Sequence, residues 1–244
     1  MKIKLLVFVS LIIFSVPGFS LADEDLTHFK KALNRCISSS YLGWAFIAAT
    51  NEDGATFVEK IDFSKKNDER WVLVSKNGKK VSAREAEKHR KMKQKEDETA
   101  RLNHESPAWM LNDFLKTMIT PGSVKFIERA NGYNLYRFQP HIGEDGEDFD
   151  KNLLGEIFIK SDDTVLTKLR IFNKTDFSTS GVRIVEFNHV MKFTETDSGD
   201  GHANPVFLKS SESRVKGKVM GFTVVDNNQT VIFENFQKKE PVKE

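Results

Sequence analysis

The chain has a single cysteine, Cys36, so no internal disulfide can form and the fold must be held by its core alone. Long apolar runs are scarce too. Leu5 to Val16, broken only by Ser10 and Ser15, is the one sizeable stretch, and it is short of the roughly 20 apolar residues that a spanning helix needs. A surplus of cations is likewise missing. Taking Lys2 and Lys4 from the 37 basic residues leaves 35 against 35 acidic ones, which argues against nucleic acid as a partner. Several catalytic signatures are also absent: no G-x-S-x-G elbow, no P-loop and no G-x-G-x-x-G occurs, and His104-Glu105 runs into Ser106-Pro107 rather than completing H-E-x-x-H. The six histidines, His28, His89, His104, His141, His189 and His202, are scattered without metal-ligand spacing, so no enzyme activity, metal or cofactor is expected.

What is present begins with a basic start, Met1-Lys2-Ile3-Lys4, then the apolar run, then Pro17-Gly18 and the small residues Ser20 and Ala22. This is the secretory pattern, with cleavage expected after Ala22 and a periplasmic mature protein that does not span the membrane. Because Cys36 lies fourteen residues past that cut, lipidation at a new N-terminus is not expected. The remaining residues, 23–244, suffice for one domain. Eighteen of the twenty phenylalanines stay with it, a large aromatic surface to bury once Phe8 and Phe14 are gone.

Leu26, Phe29, Leu33, Cys36 and Ile37 recur at three- and four-residue steps, which predicts a helix over Glu24 to Ile37 with Cys36 buried. Strands follow: Trp44, Phe46 and Ala48 alternate, Thr56 to Phe63 forms a second strand after the turn Asn51-Glu52-Asp53-Gly54, and Arg70 to Ser75 a third, closed by Asn77-Gly78. Ser82-Ala83-Arg84-Glu85 has the form of a capping box opening a charged helical insert at about 79–106, read as a solvated helix or a partner-docking arm. A shorter helix is expected through Met110, Leu111, Phe114, Leu115 and Met118, ended by Pro121-Gly122. Strands at Ser123 to Arg129 and Tyr133 to Gln139 flank Ala130-Asn131-Gly132, and further strands are expected at Leu153 to Lys160, Thr164 to Asn173, Gly181 to Thr194, Val206 to Leu208, Arg214 to Val224 and Thr230 to Phe236. Asp226-Asn227-Asn228 is read as the turn between the last two. The loop Gly143 to Asp150 packs five carboxylates and is read as a solvated connection rather than a calcium site.

The fold class expected is α+β and mainly antiparallel: a curved incomplete β-barrel of about 10–11 strands with helices packed in the concave side. The helix followed by Tyr41-Leu42-Gly43-Trp44-Ala45-Phe46, the turn-bounded strand Arg70-Trp71-Val72-Leu73, and Leu154-Gly155-Glu156-Ile157-Phe158-Ile159 resemble the LolA-like fold of periplasmic lipoprotein carriers. That resemblance implies an apolar cavity, lidded by helices, that shields acyl chains from water. Burying a methylene is worth about 0.8 kcal/mol, so such a cavity needs no chemistry. The cavity residues expected are Trp44, Phe46, Trp71, Leu73, Phe126, Phe158, Leu169 and Ile184 on the sheet, with Trp109, Met110, Phe114 and Met118 on the lid. The implied partner is a lipid or lipoprotein acyl chain. A closed ordinary core is the competing expectation, and it makes the chain an envelope module that binds a protein.

Overall fold

The computed structural model describes residues 21–102, 111–142, 147–199, 203–219 and 223–239. The first helix, α1, spans Leu21–Ser38 and carries Arg35 in its last turn, where a cation suits the negative end of the helix dipole. It stops where Ser38 and Ser39 turn their hydroxyls back to the Arg35 carbonyl, at 3.1 and 2.8 Å. The expected cut after Ala22 falls within this opening turn; the rest of the expected leader lies outside the described residues.

The first meander consists of β1 (Trp44–Glu52), β2 (Ala55–Asp62), β3 (Trp71–Lys76) and a two-residue β4 (Lys79–Lys80). Its hairpins turn at Asp53-Gly54 and Asn77-Gly78, where both residues have positive φ, the backbone that matches strand twist in two-residue turns; Asn51 and Glu52, expected in the first turn, pair with Thr56 and Ala55 as strand residues. Helix α2 (Ala83–Leu102) follows, opened by the expected capping box: the Ser82 amide donates to Glu85 Oε2 at 3.0 Å, and the Glu85 amide to Ser82 Oγ at 3.3 Å. Helix α3 (Leu111–Met118) precedes β5 (Lys125–Ala130) and β6 (Tyr133–Phe138), joined by Asn131-Gly132. After a one-turn α4 (Glu147–Asp150) come β7 (Leu153–Lys160), β8 (Leu166–Asn173), β9 (Phe177–Thr179), β10 (Val182–Glu195), β11 (Val206–Val219) and β12 (Thr223–Lys238).

All described strands join one antiparallel sheet in the order β4-β3-β2-β1-β12-β11-β10-β8-β7-β6-β5, with β9 paired to β10 alone. Most neighbours in space are neighbours in sequence. The exception that shapes the molecule is β12, which lies between β11 and β1 and ties the first meander to the remaining strands. The end strands β4 and β5 do not pair with each other, so the barrel is incomplete. Register shifts between Ala45 and Ile47, Ile184 and Glu186, and Lys192 and Phe193 add local bend and twist. The sheet thereby curves around α1, which touches β5, β8 and β11 across its width.

Two expectations at the C-terminal end change. Val206 to Leu208 and Arg214 to Val224 were expected as separate strands, but β11 runs unbroken through the polar stretch between them. Asp226, Asn227 and Asn228 are strand residues facing Lys216, Val215 and Arg214, not a turn. Their composition favours turns locally, but the ladder with β11, continuous from Thr223 to Ile232, overrides it. Among the described residues, no helix is long and apolar enough to cross a membrane.

Candidate functional site

The concave side is the place to look for a ligand, because both α1 and α3 lie there and touch each other. Phe29, Ala32 and Cys36 of α1 and Leu115 and Met118 of α3 are buried against Tyr136, Phe138, Ile157, Ile159, Leu169, Ile171 and Met191 of the sheet. Helical spacing brings the α1 residues to one stripe, and strand alternation brings the sheet residues to one face. Phe29 and Tyr136 have ring centroids 5.3 Å apart, and Phe126 meets Tyr136 edge-on at 5.6 Å. A second aromatic cluster continues beside it. Tyr41, Trp44, Phe46, Phe63, Trp71 and Phe207 pack there, and Phe233 touches both clusters. Burial pushes the Cys36 thiol up to about 12, so it stays protonated at neutral pH and behaves as a packing group.

Polar contacts fasten α1 at each end. Near its N-terminus the Tyr136 hydroxyl donates to the Asp25 carbonyl at 2.9 Å, Arg129 Nε donates to Asn134 Oδ1 at 2.8 Å, and His28 Nδ1 lies 3.3 Å from Asn134 Nδ2. Burial lowers the His28 pKa most, the Arg129 guanidinium lowers it further, and Asp25 opposes them. At the other end Arg35 pairs with Glu195 and donates to the Asn204 carbonyl at 2.9 Å. The Ser39 hydroxyl accepts the Val206 amide at 2.8 Å, and the Tyr41 hydroxyl accepts the Leu208 amide at 3.1 Å. No sequence motif announced the His28 cluster. Its members come from three segments, α1, β5 and β6, which only the folded chain brings together.

The expected cavity residues divide. Met118, Leu169 and Ile184 are buried in the first cluster, with Phe126 packed against it at the side; Trp44, Phe46 and Trp71 belong to the second. Leu73 is buried two residues along β3 from Trp71, on the same face. Phe158 instead faces the other way. It pairs in register with Lys168, whose Nζ sits 4.7 Å from the ring centroid, while Ile157 and Ile159 point into the core. Strand parity is the reason: neighbouring residues on β7 alternate faces, so Phe158 cannot share Leu169's side when Ile157 is opposite Leu169. Phe114 falls within α3, and Trp109 and Met110 lie outside the described residues.

Beside Phe158, on this convex face, is a hollow of about 140 Å³ lined also by Glu128, Ala130, Asn131, Tyr133 and Leu135. Its volume suits roughly one aromatic ring, not an acyl chain.

No family model matches the chain, and no curated protein matches it. Among solved structures, it is similar to the crystal structure of MucB in complex with MucA(peri), at 9% identity over 89% of this chain and 99% of that one, with a TM-score of 0.22. The fold assignment therefore stands on the strand order and the placement of the helices.

The acidic stretch expected as a solvated connection ends instead in α4, with its last carboxylate out of solvent. Asp150 is buried, its carboxylate 2.7 Å from His141 Nδ1 and accepting the Ile142 amide at 3.1 Å. Residues 143–146 lie outside the described residues. Among the described residues no group of three His, Cys, Asp or Glu side chains is placed to hold a metal ion.

Proposed function

We propose that this protein is a non-enzymatic binding protein of the periplasm whose sheet core is closed and whose ligand is another protein, met on its outer surfaces. One observation carries this reading. Phe29, Ala32, Cys36, Leu115 and Met118 fill the concavity where an acyl chain would have to lie, each at most 4% exposed. A ligand there would have to displace well-packed side chains, of which Phe29, Leu115 and Met118 are each worth about 1.5–3 kcal/mol of burial. The secretory pattern of the first twenty-two residues supports the compartment.

Native mass spectrometry of protein purified from its own periplasm tests this. The expected result is the bare mass of the chain. Adducts of acyl-chain mass, retained through purification, would overturn it.

A second reading, carriage of a lipid or lipoprotein acyl chain as the LolA-like resemblance implies, is supported by a different observation. Since α1 and α3 touch each other and cover a continuous apolar face, they could swing away together and leave a hydrophobic trough. The same mass measurement separates the two. A disulfide tying α1 to the sheet would abolish acyl uptake under this second reading and change nothing under the first.

A further inference from the structure

Helix α2 packs on the first meander through one side only. His89 Nε2 lies 2.5 Å from Glu59 Oε1, Lys93 Nζ sits 5.7 Å from the Trp71 ring centroid, and Arg90 Nη1 donates to the Asp68 carbonyl at 2.8 Å. Asp97 is buried on this same side. Counted around the helix, the opposite side carries Arg84, Lys88, Lys91 and Lys95, at alternating steps of four and three residues, all exposed. Among the described residues Arg84, Lys88 and Lys95 have no ion-pair partner, and Lys91 shares Glu87 with Arg90.

Acidic residues border this basic row on both sides. Glu87 and Glu98 flank one edge and Glu85 and Glu96 the other, each held by a neighbour on its own helix or cap: Glu87 by Arg90, Glu98 by Gln94, Glu85 by Ser82 and Glu96 by Lys93. The Arg90 contact holds the Glu87 carboxyl down to about 2, so Glu87 remains charged. A flat anionic bilayer would bring four glutamates against its headgroups together with the four cations. A slender partner meets the cations alone. Met92, nearly half exposed, lies beside the row and adds an apolar foothold.

We propose that this outward row of α2 is the docking surface for a narrow acidic segment of a partner protein, a helix or extended strand with carboxylates along one side. The inference rests on the protein-binding reading above and deepens it by naming the surface and the chemistry of its partner. Local charge complementarity of this kind sets association rate and specificity even when net charge is near zero.

The test places a photo-crosslinking residue, Met92→p-benzoylphenylalanine, in the full chain in the cells that make it, with Ser178→p-benzoylphenylalanine as a distant control. The crosslinked segment is then sequenced by mass spectrometry. Expected is a protein segment rich in Asp and Glu at three- and four-residue spacing, absent from the Ser178 control. Its yield should fall about tenfold when K88E, K91E and K95E are combined, and be retained in K88R/K91R/K95R. Crosslinks to lipid alone, to segments without such carboxylates, no crosslink at all, or a yield indifferent to charge reversal would each overturn the proposal. Circular dichroism confirms that the variants keep their helix. The native mass of the charge-reversed protein reports separately on the closed core, so the two readings can fail independently.

Discussion

His28 and Gly155 show how much individual residues contribute here. The His28 imidazole is held neutral by burial and by Arg129, and His189 on β10 is lowered by burial as well. A histidine whose folded pKa lies below its ordinary 6.5 binds fewer protons folded than unfolded, so stability is full above 6.5 and falls as pH drops below it toward the folded value. Thermal melts across that range should therefore show a declining midpoint for the parent and a shallower decline for His28→Gln; equal slopes would refute the assignment. Gly155 stands opposite Phe138 in register, and the phenyl ring lies over it so closely that an added Cβ would overlap the ring. Gly155→Ala should cost about 1–3 kcal/mol in urea unfolding, as overpacking does. Combining it with Phe138→Leu should cost less than the sum of the two single changes, since the smaller side chain frees the space.

At the level of the element, helices differ in what holds them. Helix α1 depends on its buried stripe, so Phe29→Ala should cost about 3–5 kcal/mol by chemical denaturation. In α2 the capping box matters instead: Ser82→Ala should cost about 1 kcal/mol and speed hydrogen exchange in the first turn of α2 while leaving α1 unchanged. Both features were legible beforehand, the first from the spacing of Leu26, Phe29, Leu33 and Cys36, the second from Ser82 and Glu85, because each is written within a few residues of chain. Ala32, the most enclosed residue of α1, was not anticipated, since its small side chain gives a weak hydrophobic signal. The Asn131-Gly132 hairpin was equally plain. Asp226-Asn227-Asn228 misled because a local turn preference is weaker than a continuous ladder with β11, and that ladder starts at Thr223, three residues before the expected turn. Phe158 misled for a narrower reason: a phenylalanine on a strand says that it has an apolar side chain, not which face it occupies.

For the molecule as a whole, the joint between the two aromatic clusters is the test of unity. Phe233 on β12 packs against both, and Trp44 and Trp71 sit in the second. A single cooperative unit predicts that tryptophan emission and far-UV circular dichroism are lost together, and that Phe233→Ala lowers stability by about 2 kcal/mol without separating the two transitions. Two distinct midpoints in that variant would show instead that each cluster folds alone. The general architecture, an open antiparallel sheet with helices in its hollow, was readable from the succession of hairpins. Whether the hollow was empty or filled was not, since the same stripe of Phe29, Ala32 and Cys36 serves a removable cover and a permanent core equally well.

The position of β12 sets a timetable as well as a shape. A chain is delivered from its N-terminus, so β1 comes first among the described strands and its partner β12 comes after the other eleven. Until that strand arrives, one edge of the first meander has no ladder, and the aromatic residues beside it have no Phe233 to meet. The intermediate is an exposed edge next to apolar surface, the combination that invites aggregation. A chain truncated before Thr223 should remain in that condition for good, insoluble or bound to chaperones even though its first helix and eleven of its strands are intact in sequence.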